Sequence, residues 1–241
     1  MSSYTVLLVV IAVIAVVALV YFQRYARQKR AEALQRAGAE LGLFLAPESD
    51  AAALQSSLSG FHLFSQGHSR RLNGLIQGVA RSVPVSIFDY RYFIRSGNNN
   101  NRSREQTAIC FELAGTSLPA FSLRPETVFS RVGAWLGGQD IDFESAPDFS
   151  SRYVLQGKDE AAVRSLFADR VLAFYAARPG LCTEGGGDRL IFYRADVRVK
   201  PEALRAFMDE GLEVLALFQP RSQSPDPFLE MEGGNPAPLP S

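Results

Sequence analysis

The sequence predicts an α+β protein: an N-terminal transmembrane helix, then an antiparallel sheet with helices packed on one face. Three observations carry this. Residues 6–22 form an unbroken apolar run. Strand-like segments with period-two alternation cluster between Phe61 and Leu123. Helical periods are spaced through the second half and end in an amphipathic stretch. Strands first and helices later is the pattern of an α+β domain.

The apolar run Val6–Phe22 has 17 residues, 13 of them Val, Leu, Ile or Phe. With Tyr4 and Thr5 it spans roughly 26–29 Å as a helix, close to the thickness of a bilayer's hydrocarbon core. Its β-branched residues would suit a strand in water, but a lone strand in lipid leaves its backbone unpaired. A cleaved signal peptide carries basic residues before its apolar core and small residues after it. Here no charged side chain precedes the run, and Arg24, Arg27, Lys29 and Arg30 follow it. The pattern predicts a retained anchor (1–22) in the inner (plasma) membrane, with the N-terminus outside and the domain in the cytoplasm. Tyr4, Tyr21, Phe22 and Tyr25 sit where aromatic belts form.

Residues 23–59 read as a juxtamembrane stalk and linker: a helix over 23–43 with Leu34, Ala37 and Leu41 on one face, then a polar connection with a short helix from Ser49. The cytoplasmic domain is expected over 60–219. Its first strands are 74–80 and 83–94, the second with Val83, Val85 and Ile87 on one face and the row Phe88, Tyr90, Tyr92. The Asn-rich stretch 96–103 is expected to be a loop. Strands follow at 106–113 and 120–123, and a helix over 126–136 buries Val128, Val132 and Trp135. Further strands are expected at 140–144 and 152–156, and a helix over 158–177 with Val163, Leu166, Phe167, Val171 and Phe174 on one stripe. The run Gly185–Gly187 with Asp188 reads as a hairpin turn. Pro201 opens a last helix to Phe218, with Leu204, Phe207, Met208, Leu212 and Leu215 inward. The six prolines of 220–241 predict a disordered tail.

Few residues point to chemistry. No nucleotide-binding glycine motif or zinc-spaced cysteine pair occurs, and no cofactor is expected. The only histidines, His62 and His68, are too far apart for one helix face. Cys110 and Cys182 read as small apolar strand residues, and as free thiols in a reducing cytoplasm. Asp140, Asp142 and Glu144 alternate, so on a strand they share a face that could bind a divalent cation or act as acid and base. Cys182–Asp188 could hold a nucleophile or cradle phosphate, but its glycines lead into a strand, not a helix.

Charge is the sharper signal. Lys+Arg and Asp+Glu balance at 25 each, so bulk charge gives no reason to expect nucleic acid as a partner. Yet residues 60–104 hold seven Arg (70, 71, 81, 91, 95, 102, 104) and one acid, Asp89, while 105–150 hold seven acids and two Arg. Two readings follow: the two stretches pair across the sheet, or Arg70, Arg71, Arg81, Arg91 and Arg95 form a basic surface facing anionic lipid headgroups.

The segments Ile87–Tyr92, Gln106-Thr107, Phe121–Glu126, Asp140–Phe143, Tyr153–Gly157 and Glu184…Asp188 resemble a family of bacterial single-pass membrane proteins with one α+β domain, distantly similar to the DUF3137-like group. The resemblance spans roughly residues 30–218. It implies an inner-membrane location and brings no assigned activity or catalytic residue. The expected function is therefore a membrane-tethered binding or interaction domain, its partner the lipid bilayer, anionic headgroups or a membrane protein. The alternative is a hydrolase-like membrane enzyme using the 140–144 carboxylates or the Cys182–Asp188 hairpin.

Overall fold

The computed structural model describes residues 3–96, 100–129 and 140–219. One helix, α1 (Ser3–Ala39), runs from the apolar segment into the domain without a break. Its residues 4–22 are exposed throughout, and it is apolar and long enough to cross a membrane. Leu34 changes its role: this side chain is buried against the sheet, with Ala37 packed beside it.

After α1 come the two-residue strand β1 (Phe44–Leu45), helices α2 (Glu48–Ser57) and α3 (His62–Ser65), and the long strands β2 (His68–Ala80), β3 (Val83–Ser96) and β4 (Asn100–Glu112). Strand β5 (Leu118–Pro125) leads into α4 (Glu126–Phe129). Then follow α5 (Pro147–Ser150), β6 (Tyr153–Gly157), α6 (Glu160–Leu166), α7 (Asp169–Ala177), β7 (Cys182–Gly187) and β8 (Arg189–Tyr193). A 3₁₀ turn at Pro201–Ala203 opens α8 (Leu204–Phe218). The strands form one eight-stranded sheet of order β1-β2-β3-β4-β8-β7-β5-β6, with every pairing antiparallel.

The alternation legible in the sequence sets the two faces. Val85, Ile87, Ile109 and Phe111 join the core on which the longer helices lie, including Leu34 of α1 and Leu204, Phe207, Leu212 and Leu215 of α8. Phe88, Tyr90, Tyr92, Ala108 and Cys110 face the other way, where the short helices α2 and α3 supply Leu54, Leu63 and Phe64. Residues 30–58 therefore belong to the packed domain, and its first core residue lies well before the expected boundary at 60.

Four local expectations change. Strand β4 begins at Asn100, opposite Ser96, because the long β3–β4 register extends into the Asn-rich stretch. The helix expected over 158–177 breaks in two at Phe167, whose ring leaves the helical path to meet Phe121 (5.1 Å) and Phe218 (5.7 Å). The hairpin expected at 185–188 forms, with Gly186 opposite Arg189, but glycines 185–187 already lie within β7: a Cβ at Gly185 would overlap the Phe121 ring, so glycine there is a packing requirement. Residues 140–144 form no strand. They run beside edge strand β6, held by Ile141 N–H to Leu155 O (2.8 Å) and Leu155 N–H to Asp140 Oδ1 (2.9 Å). The Asp140 carboxylate thus caps a backbone donor on an open sheet edge. The rest of the helix expected over 126–136, including Val132 and Trp135, and the tail 220–241 lie outside the described residues.

Candidate functional site

Two polar centres and one cleft concentrate the unusual chemistry. The first centre fastens α1 to the sheet. Asp89 is the single acid of the basic stretch, and it sits on the α1 face of β3, two residues beyond Ile87. Arg30 donates from Nε and Nη2 to its two oxygens (2.6 and 3.0 Å), and from Nη2 to Val199 O (2.8 Å). The Thr107 hydroxyl donates to Asp89 Oδ1 (2.7 Å), and Arg198 reaches Oδ2 (3.2 Å). Burial raises the Asp89 pKa, but the Arg30 hydrogen bond and charge, Thr107 and Arg198 outweigh it and hold the carboxyl below its ordinary range. Arg198 also bonds Glu105 (3.0 Å), which lies 3.8 Å from Arg91. A fork-shaped, two-bond contact of this kind fixes orientation as well as position.

The second centre lies on the opposite face beneath α3 and was not singled out from the sequence. Arg124 of β5 is almost wholly buried; its Nη2 donates to Gln156 Oε1 (3.0 Å), and its Nη1 lies 2.6 Å from His62 Nε2. An Arg has only donors, so the His62 ring accepts at Nε2 and is neutral. Burial, then the Arg124 charge, lowers its pKa to about 3. Gln66 also contacts His62. Glu184 of β7 is fully buried and accepts from the Leu63 amide (3.0 and 3.2 Å) and the Tyr193 hydroxyl (2.8 Å). Burial raises its pKa to about 7, against the pull of those two donors and of Arg124. The signal for this centre was the polar alternation Ser122, Arg124 against Phe121, Leu123 in β5.

The expected site residues divide. Arg30 is the clamp just described, its guanidinium held by Asp89 and Val199 O. Arg70 donates to Ser65 O, Gln66 O and Gly67 O, closing the reversal between α3 and β2. Arg81 and Ser82, both at positive φ, form the two-residue β2–β3 turn at the far end of the sheet, as a tight hairpin demands. Arg71, Arg91 and Arg95 share the other end and the α1 face. Arg71 is paired with Arg91 across the ladder, and β3 ends at Ser96. Arg24, Arg27 and Lys29 lie on α1 between the apolar run and the clamp, and Lys29 rests over the Tyr25 ring (5.0 Å). Cross-sheet pairing of the two charged stretches accounts for little: the ion pair it supplies among the described residues is Arg91–Glu105.

Asp140, Asp142 and Glu144 are exposed, with Ile141 buried between them, and no metal-holding cluster of His, Cys, Asp or Glu is found among the described residues. Burial pushes the thiols of Cys182 and Cys110 up to about 12, so both stay protonated near neutrality and neither is poised as a nucleophile. His68 is exposed on β2 and stacks with Phe93.

The cleft lies between α1, α2 and strands β2–β3, with a volume of about 660 Å³. Leu34, Leu45 and Leu72 line its apolar part; Arg71, Arg91, Glu105 and Arg198 line its polar part.

No family model matches the chain, and no curated protein matches it. Among solved structures, the fold is similar to the crystal structure of the mycobacterial trehalose monomycolate transport factor A, TtfA. The TM-score is 0.55 and the identity 14%, over 80% of this chain and 93% of that one. At that identity the likeness shows a shared fold.

Proposed function

We propose that this chain is a membrane-tethered binding domain: α1 is a retained single-pass anchor of the bacterial inner membrane, the domain lies in the cytoplasm, and the Arg91–Arg95 end of its sheet rests on anionic lipid headgroups. The observation that carries this is the direction of α1 across the sheet. Gly38 lies against Ile76, Leu34 against Gly74, and Arg30 reaches Asp89. Toward its N-terminus, α1 therefore travels the way β3 travels toward Ser96.

Lengths support the reading. From Arg30 to Phe22 the helix covers about 12 Å. From Asp89 to Ser96 the strand covers about 23 Å. Where helix and strand cross at about 45°, Arg91 and Arg95 project about 5 and 14 Å along the helix from Arg30, level with the stretch from Arg27 to Tyr21 at the end of the apolar run. Each arginine near an anionic surface contributes about 1 kcal/mol. The positive flank of the anchor favours the cytoplasm for this side.

The test uses full-length protein in lipid nanodiscs. Cys110 and Cys182 are buried, so an introduced surface cysteine carries the label. A fluorophore on Arg95→Cys is expected to be quenched by headgroup-attached quenchers, more strongly with anionic than neutral lipid, while one on Arg81→Cys is not. Equal quenching at both positions, or none at 95, overturns the proposal.

A further inference from the structure

We propose that the cleft beside α1 is a seat for the headgroup of an anionic phospholipid drawn from the leaflet that α1 enters; this rests on the membrane-facing reading above. Position, shape and charge argue for it together. Gln28 stands at the cleft's α1 edge, about 9 Å along the helix from Phe22. The headgroup layer is itself roughly 5–8 Å deep. A lipid at the protein's edge can therefore reach the cleft without leaving the bilayer.

The charge pattern favours an anion. Arg71 and Arg91 oppose each other across the β2–β3 ladder and both line the cleft. Like charges directly opposite are destabilising in a sheet. Glu105 serves Arg198 at 3.0 Å and Arg91 at 3.8 Å, and Asp89 is taken by Arg30 and Arg198. Arg71, at the end of this row, has no ion pair among the described residues. The cleft's four arginines face Asp89, Glu105 and, on α2, Glu48, leaving one positive charge. A phosphate between Arg71 and Arg91 would supply the missing counter-charge through forked hydrogen bonds. The apolar part, Leu34, Leu45 and Leu72, then accepts the glycerol and first methylenes of the lipid. A free phosphate would leave that surface unused, which is why the occupant is an amphiphile.

The test uses full-length protein in non-ionic detergent, titrated by calorimetry with dihexanoyl phosphatidylglycerol, dihexanoyl phosphatidylcholine or inorganic phosphate. Phosphatidylglycerol is expected to bind at least tenfold more tightly than either of the others. Arg71→Ala, which removes the unpaired cation, and Ala52→Trp, which fills the cleft from an exposed position, are each expected to weaken it at least tenfold. Equal binding of phosphatidylcholine, equal binding of phosphate, or wild-type binding by both variants overturns the seat. No membrane is present in this titration, so its failure beside intact quenching at position 95 removes the seat alone. Loss of that quenching removes the membrane-facing reading and the lipid source with it.

Discussion

Asp89 and Glu184 are both carboxylates on strands with an arginine nearby, yet their environments drive them in opposite directions. Asp89 receives two hydrogen bonds from one guanidinium and a third from another, and its pKa falls. Glu184 receives an amide and a hydroxyl, feels Arg124 only through its charge, and its pKa climbs to about 7. Burial opposes ionisation at both. What differs is whether charged donors touch the carboxylate, because a neutral donor offsets only part of the lost hydration. The two centres therefore do different work. The clamp fastens α1 to the sheet, and the buried cluster pins the short helix α3 over the opposite face.

The largest way to break this contrast is Arg124→Ala. It strips His62 and Gln156 of a buried donor and leaves a void, so unfolding followed by circular dichroism should show a loss of about 3–5 kcal/mol. A fall below 1 kcal/mol would mean that the cluster is not a unit.

The pH dependence sharpens it next. Glu184 has a folded pKa raised from 4.5 to about 7, so its contribution is complete below 4.5 and disappears as pH rises to 7. His62 is a base lowered from 6.5 to about 3, so its contribution is complete above 6.5 and disappears as pH falls to 3. Between pH 4.5 and 6.5 the two slopes offset. Stability of His62→Gln should therefore rise by about 3 kcal/mol as pH drops from 7 to 4.5. Glu184→Gln should instead lose stability as pH drops below 6.5. Parallel pH profiles for the two variants would refute the assignment.

Asp89→Asn comes third, with a loss of about 2 kcal/mol from weakened charged hydrogen bonds. Its distinguishing readout is faster hydrogen exchange of α1 amides 28–36, with the β3–β4 amides near 109 unchanged; uniform exchange along α1 and the sheet would deny the clamp its local role. Smallest is Arg198→Ala. This side chain is partly exposed and its pairs are at the rim, so the expected cost is under about 1 kcal/mol by thermal melting. A cost equal to that of Asp89→Asn would make Arg198, not Arg30, the principal partner.

Much of the fold was legible because its signals are local. The apolar run, the alternation of Val85, Ile87 and the Phe88–Tyr92 row, and the stripe of α8 depend only on period and burial, and the structure places them as those periods imply. Residues 140–144 failed as a strand because an edge carboxylate capping Leu155 looks, in sequence, like one member of an alternating row. The break at Phe167 escaped because a helical stripe continues through it; only the aromatic group around Phe121 and Phe218 draws that ring off the helix.

The sequence by itself determined the apolar helix, the α+β class, the two-faced strands and the basic stretch, since each follows from neighbours along the chain. Only the tertiary structure decided which arginines remain for a partner. Arg30 was claimed by a carboxylate 59 residues away, Arg70 by three carbonyls, Arg81 by a turn at the far end and Arg91 by Glu105, while Arg71 came to line the cleft beside α1 with no ion pair among the described residues. Charge is a property of residue type, but its availability depends on what the folded chain brings within about 3 Å.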